Sequence, residues 1–123
     1  MQRSFTKQIA SHVEAELENA TRARSTGAFQ QEFTHLERAH VLGQESTYWH
    51  VRVHVLMLVW AFRNGCTTEA LGQVMRIIGA ATKTRLGWVP QGNTGGSNVS
   101  PFKKMPIAPE LAVAIEDAKR RVQ

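Results

Sequence analysis

The sequence predicts an all-α fold, and three features of its pattern support this prediction. Apolar residues recur at the three- and four-residue spacing of amphipathic helices, no segment alternates like a half-buried strand, and glycine turns separate the helical segments. We expect about five helices: two antiparallel hairpins of the tetratricopeptide type and a C-terminal helix reached through a long Gly/Pro-rich strap. A chain of 123 residues that is 42% hydrophobic can bury one core, so we predict a single helical domain over residues 1–123.

Turn and capping signals give the expected bounds of the helices. Gly27 ends the first hairpin's leading helix, Ser46 or Thr47 can cap the third helix, and Thr67 can cap the fourth. The segments that begin at Gly27 and Gly65 each open a helix after a glycine turn and lie 38 residues apart. This period is typical of stacked helical hairpins. The expected helices cover residues 5–25, 28–42, 47–63, 67–85 and 109–121, of which the first four form a helical core over 5–85.

The strap over residues 87–108 differs in composition from the rest of the chain. All four prolines and four of the nine glycines lie between Gly87 and Pro109, which excludes a regular helix. Such a segment either covers one side of the bundle or forms a functional loop, and the sequence supports both interpretations. As a cover, it would be anchored by its apolar residues Trp88, Val89, Val99, Phe102 and Ile107.

Glycines and small polar residues are concentrated in one part of the strap, where they predict a binding loop or a series of tight turns. The backbone N–H groups of such a loop can bind an anion or a partner, whereas Asn and Ser side chains in tight turns bond their own backbone. The residues concerned are Gly92, Asn93, Thr94, Gly95, Gly96, Ser97 and Asn98.

Charge and cysteine content restrict the partners and the location that we expect. The net charge of +5 favours anionic partners, but the basic residues are scattered and no aromatic residues are interleaved with them, so nucleic-acid binding is the weaker interpretation. Cys66 is the single cysteine, which excludes an intrachain disulfide and favours a reducing, cytoplasmic location. The most apolar run, VLMLVWAF, is too short to cross a membrane, and the first residues do not have the pattern of a signal peptide.

Three motifs carry a resemblance to a known family. HLERAHVLGQ at residues 35–44, HVRVH at 50–54 and GNTGGSNVSPF at 92–102 resemble an uncharacterised family of small bacterial helical proteins, a domain of unknown function. The resemblance covers nearly the whole chain, from residue 12 to residue 111. It implies no established activity, but relatives accompany heavy-metal resistance genes, and this implies a role in metal handling or resistance.

The histidines themselves indicate a metal site. Four of the five lie between His35 and His54, and His50 and His54 are four residues apart, which places both imidazoles on one helix face. Two imidazoles at this spacing can share one metal ion, and imidazole-rich ligation suits zinc, copper or nickel. We therefore expect His50 and His54 to be the primary ligands.

Further ligands are expected from the first two helices. The second helix contains two Glu-x-x-His pairs, but His35 and His40 lie about 140° apart on a helical wheel and cannot serve equally. We rank His35 next after the primary pair, then His12 and His40, with Glu16 or Glu32 as carboxylate ligands.

A metal-free interaction protein is the alternative that the sequence leaves open. Two helical hairpins can present a groove to a protein partner, or a homodimer can form through Trp49, Trp60 and the third helix. This alternative needs no cofactor, but it explains the clustering of the histidines only as chance. The sequence shows no positive catalytic signature, neither a nucleophile elbow nor a complete phosphate loop, so whether the protein is an enzyme stays open.

Overall fold

Helices form the regular structure of this protein, in the order that the sequence predicts. The structure, a computed structural model, describes residues 2–83, 92–96 and 104–122. Five helices lie within them: α1 (Gln2–Ser25), α2 (Phe29–Gly43), α3 (Thr47–Arg63), α4 (Thr67–Lys83) and α5 (Pro109–Arg120). Within the described residues, the predicted all-α class and the number of helices are confirmed. The expected extension of the fourth helix to residue 85 and the anchors Trp88, Val89, Val99 and Phe102 lie outside the described residues.

Glycine turns connect the two helices of each hairpin. Gly27 and Gly65 have φ angles of +75° and +68°, a backbone conformation that a side chain disfavours. After Gly65, the N–H of Cys66 donates to the carbonyl oxygen of Ala61 at 2.9 Å, and an equivalent bond of 2.9 Å closes the end of α1. The two turns of the predicted 38-residue repeat therefore share a left-handed glycine and the same type of backbone hydrogen bond. α1 packs against α2, and α3 packs against α4.

The hydrophobic core lies between the two hairpins and α5. α2 also packs against α3, and α5 covers α1 and α2. The apolar faces of α1 and α3 supply the most deeply buried side chains, which include Ile9, Val13, Val53 and Met57. Ile107, one of the predicted strap anchors, is half-buried and packs against this core.

A close approach between α2 and α3 positions the interior polar residues. A Cβ atom at Gly43 would lie 2.6 Å from the Cβ of Trp49, so only glycine allows this spacing of the two helices. The Ser46 hydroxyl caps α3 by accepting from the Trp49 N–H at 3.3 Å, and the Trp49 indole N–H donates to the Thr6 carbonyl oxygen at 3.1 Å. The N-terminal half of α3 therefore lies against the end of α2 and is hydrogen-bonded to α1.

The apolar run in α3 is buried in part: Met57, Trp60 and Ala61 lie in the core, whereas Val55, Val59 and Phe62 are exposed. None of the helices that the structure describes combines the length and the apolar character that crossing a bilayer requires.

Candidate metal centre

Three histidines from two helices meet in the protein interior. His40 lies on α2, and His50 and His54 lie one turn apart on α3. A ligand nitrogen from each ring lies within 4.8 Å of the others, and the three residues are 2%, 8% and 2% exposed. The ring centroids are 4.7–5.0 Å apart. These three residues form the histidine triad.

The outer nitrogen of His40 is fixed by the loop that follows α4 in the chain. His40 Nδ1 lies 2.6 Å from the backbone carbonyl oxygen of Asn93. A carbonyl oxygen can only accept, so Nδ1 carries a proton and donates it. In the neutral ring the other nitrogen, Nε2, then has a free lone pair, which points toward His54.

The outer nitrogen of His54 is fixed in the same way by Gln73 of α4. His54 Nδ1 lies 2.6 Å from Gln73 Oε1. The amide nitrogen of Gln73 donates to Glu69 Oε2 at 2.5 Å and to the carbonyl oxygen of Gly95 at 2.9 Å, which sets the orientation of the amide. Gln73 Oε1 is therefore the acceptor, and Nδ1 of His54 is the donor.

These two tautomers direct two lone pairs at each other. His40 Nε2 and His54 Nε2 lie 3.1 Å apart, and neither carries a proton in the neutral rings. Two nitrogens that bind one tetrahedral ion at 2.0–2.1 Å lie about 3.3 Å apart. A second partner that fixes the outer nitrogen of each ring is also typical of metal-ligating histidines. The geometry could therefore hold one metal ion between the two nitrogens, with His50 beside them as a third imidazole.

Burial favours the neutral form of His40 and His54. Desolvation lowers the pKa of His54 from 6.5 to about 4, and the hydrogen bond that His54 donates to Gln73 opposes this shift by raising the pKa. Desolvation also holds the pKa of His40 well below its usual range, and the neighbouring His54 and His50 lower it further. Arg76 lowers the pKa of both rings, while Glu69 raises that of His54.

Two carboxylates, Glu69 and Glu37, are hydrogen-bonded to groups that surround the triad. Glu69 bonds to Gln73, which in turn bonds to His54. Burial and the charge of Glu69 raise the pKa of Glu37, whose carboxyl is hydrogen-bonded to the Thr94 hydroxyl of the loop. Among the described residues, the group with metal-site geometry consists of the three histidines alone.

The other histidines and carboxylates that the sequence suggests as ligands have different partners. His35 Nδ1 lies 2.8 Å from Glu16 Oε2, and the same carboxylate accepts from Arg38 at 2.9 Å. Glu32 is buried and accepts two hydrogen bonds from Arg63, at 2.7 and 3.3 Å. His12 is exposed on α1. The structure thus brings His40, and not His35, to the primary pair, because His40 lies on the face of α2 that packs against α3.

The described part of the predicted loop, residues 92–96, covers the triad. Its carbonyl groups at Asn93 and Gly95 accept from His40 and Gln73. The Asn93 side chain accepts from the Gly95 N–H at 2.9 Å, as expected of a turn that satisfies its own backbone. A Cβ at Gly95 would lie 2.5 Å from His40 Cδ2, so glycine allows the loop to touch the ring. Ser97 and Asn98 lie outside the described residues.

Gln73 is the residue of the site that the sequence analysis does not identify. A pattern could have revealed it, because Gln73 shares one face of α4 with Ala70, Ile77 and Ala80 and is the polar residue in that apolar stripe. A buried polar side chain on such a face requires partners, and here the partners are His54, Glu69 and Gly95.

Comparison with known proteins gives a family but no function. No curated protein and no solved structure shows significant similarity to the chain. A family described as "Protein of unknown function (DUF3703)" matches residues 7–115, which include all three histidines of the triad. The chain therefore belongs to the DUF3703 family.

Proposed function

We propose that this protein binds one transition-metal ion, namely zinc, copper or nickel, through His40, His50 and His54. The single observation that carries the proposal is the 3.1 Å distance between two Nε2 atoms whose lone pairs face each other. Both outer nitrogens donate to fixed acceptors, so neither ring can relieve this contact by changing tautomer. A cation between the two nitrogens makes the contact favourable.

A proton shared by the two rings would satisfy the lone pairs less well than a metal ion. It would create an imidazolium in a site where desolvation already lowers the pKa of both rings. A metal ion forms bonds with neutral imidazoles and can also engage His50, which a proton between His40 and His54 cannot do.

The role that this site supports is metal handling or resistance in the cytoplasm. All three ligands are buried, which favours retention of an ion over turnover of a substrate at an open coordination position. A single cysteine, which suits a reducing compartment, supports the location.

Metal analysis of the untagged protein tests the proposal. We expect about one ion per chain after loading with Zn²⁺, Cu²⁺, Cu⁺ or Ni²⁺ and desalting. A ligand that binds only the folded state raises the free energy of unfolding by about 2.7 kcal/mol at a free concentration of 100 times the Kd. The readouts are elemental analysis and thermal unfolding in the presence of each metal.

Matched histidine variants make the test specific. His50→Ala and His54→Ala should each abolish the thermal stabilisation by metal, whereas His12→Ala changes an exposed histidine and should preserve it. Circular dichroism shows whether each variant is folded. A folded wild-type protein whose stability responds to none of these ions contradicts the proposal.

The outer face of α4 supports protein interaction, here with a second copy of the chain, as a second candidate function. Every exposed residue of α4 with a described side chain is uncharged, and Glu69 and Arg76 are only half-exposed. Leu71, Met75 and Ile78 form an exposed apolar stripe on this face. Two chains with a net charge of +5 repel each other least through a face without charges, which favours self-association there.

A further inference from the structure

The donor set of the histidine triad has no negative charge. The three imidazoles are neutral ligands, and the two rings whose outer partners are defined donate to a backbone carbonyl and to a side-chain amide. In zinc sites, thiolate or carboxylate ligands commonly offset the charge of the ion, or a carboxylate accepts from the outer nitrogen of a ligating histidine. In this protein the amide of Gln73 occupies that outer position.

The surroundings of the triad also oppose a high positive charge. Arg76 lies close enough to lower the pKa of both His40 and His54. Glu69 offsets part of this charge, but its carboxylate is separated from His54 by the whole amide of Gln73. The cost of burying an ion rises with the square of its charge, so a monovalent cation has a much smaller cost here than a divalent one.

A soft donor lies on the same face of α3 as the two histidines of that helix. Met57 follows His54 by three residues and His50 by seven, which is the spacing of one helix face. Its side chain is 0% exposed, and long side chains on a helix lean toward its N-terminus, in this case toward the two imidazoles. A thioether is a ligand that selects Cu⁺ among the first-row metals.

We propose that the triad is a Cu⁺ site and that the Met57 sulfur is its fourth ligand. This inference rests on the proposed function, because it specifies the ion that the same three histidines bind. Three neutral nitrogens and a neutral thioether hold a monovalent ion in a buried pocket without an anionic ligand. Cu²⁺ and Zn²⁺, which would keep a double charge there, bind more weakly.

Competition titrations under anaerobic conditions test the proposal. The wild-type protein is titrated with Cu⁺ against a chromophoric Cu⁺ chelator and, separately, with Zn²⁺ against a chromophoric Zn²⁺ chelator. We expect the affinity for Cu⁺ to exceed that for Zn²⁺ by about 100-fold or more. Ag⁺, a monovalent ion without accessible redox chemistry, should compete with Cu⁺ for the site.

Two methionine variants test the sulfur ligand. Met57→Leu keeps the volume of the buried side chain, and we expect it to weaken Cu⁺ binding about tenfold or more while changing Zn²⁺ binding little. Met75→Leu is the matched control, because Met75 is 70% exposed on α4. X-ray absorption of the Cu⁺ form should show a copper–sulfur distance that Met57→Leu removes.

The outcomes separate this inference from the proposed function. A higher affinity for Zn²⁺ than for Cu⁺, with one ion per chain, overturns the Cu⁺ assignment and leaves the proposed metal site intact. Equal Cu⁺ affinities of Met57→Leu and Met75→Leu overturn the assignment of the sulfur. Failure to bind any of the ions overturns both proposals.

Discussion

At the scale of single residues, buried polar groups around the triad form one connected chain of contacts. It runs from Glu69 through Gln73 to His54, and from His40 to the Asn93 carbonyl. A buried polar group without a partner costs about 1–3 kcal/mol, so each link in such a chain supports its neighbours. The one contact that these bonds do not satisfy is the pair of Nε2 lone pairs, and that is where we place the ion.

Gln73→Leu should weaken metal binding. The substitution removes the acceptor of His54 Nδ1, so the ring loses its fixed orientation and tautomer. Loss of such an outer partner typically lowers metal affinity about 10–100-fold. The measurement is competition titration with the same chelators, normalised to the folded fraction. Gln31→Leu, on the exposed surface of α2, is the control and should bind metal as the wild type does. Equal affinities of the two variants would show that Gln73 does not position the ligand.

At the scale of elements, close backbone contacts decide which side chains meet. Gly43 allows α2 to approach α3 at Trp49, and Gly95 allows the loop to touch the His40 ring. Both tryptophans that the sequence suggests for a dimer are buried within the chain: Trp49 donates to Thr6, and Trp60 donates to the Phe29 carbonyl at 2.8 Å. The tryptophans are therefore not accessible to a partner, whereas α3 at Val55 and Phe62 and the outer face of α4 expose apolar side chains.

The apolar stripe of α4 should mediate association of two chains at high protein concentration. Met75→Lys places a charge in the centre of the stripe, and we expect it to make the protein monomeric, because each copy would then bring a like charge to the contact. Sedimentation equilibrium measures the effect. Val113→Lys adds the same charge at an exposed position of α5 and should leave the association unchanged. A wild-type chain that is monomeric at all concentrations contradicts this prediction.

At the scale of the whole molecule, the buried histidines make the stability of the metal-free protein depend on pH. The pKa of His54 is lowered from 6.5 to about 4, so below pH 6.5 the unfolded chain binds a proton that the folded protein does not. The free energy of unfolding is therefore unaffected by this group above pH 6.5 and falls as the pH decreases toward 4. For His54 the loss is about 3 kcal/mol over this range, and His40 adds a loss of the same sign.

Urea unfolding between pH 7 and 4, in the presence of a chelator, measures this dependence. His54→Gln removes the titrating group and should give a flatter profile than the wild type. His12→Gln changes an exposed histidine on α1 and should reproduce the wild-type slope. Identical slopes for the two variants would mean that the His54 ring is not held neutral by the fold.

The sequence by itself determined the local structure of this protein. Glycine turns at Gly27 and Gly65 and a serine cap at Ser46 predicted bounds of the first four helices, since these signals act within a few residues. The motifs gave the family, and the family match confirms that resemblance. Spacing also identified His50 and His54 as neighbours, because a helix fixes which side chains share a face.

Only the tertiary structure decided what meets that pair. The helical period places His35 and His40 on different sides of α2, but it does not say which side packs against α3. Nor can it show that Glu16 binds His35 and Arg38, or that Gln73 and Asn93, far apart in the chain, each hold one ring of the triad. These partners depend on how whole helices and the loop pack, and packing depends on long-range contacts such as that of Gly95 with the His40 ring, which no local pattern encodes.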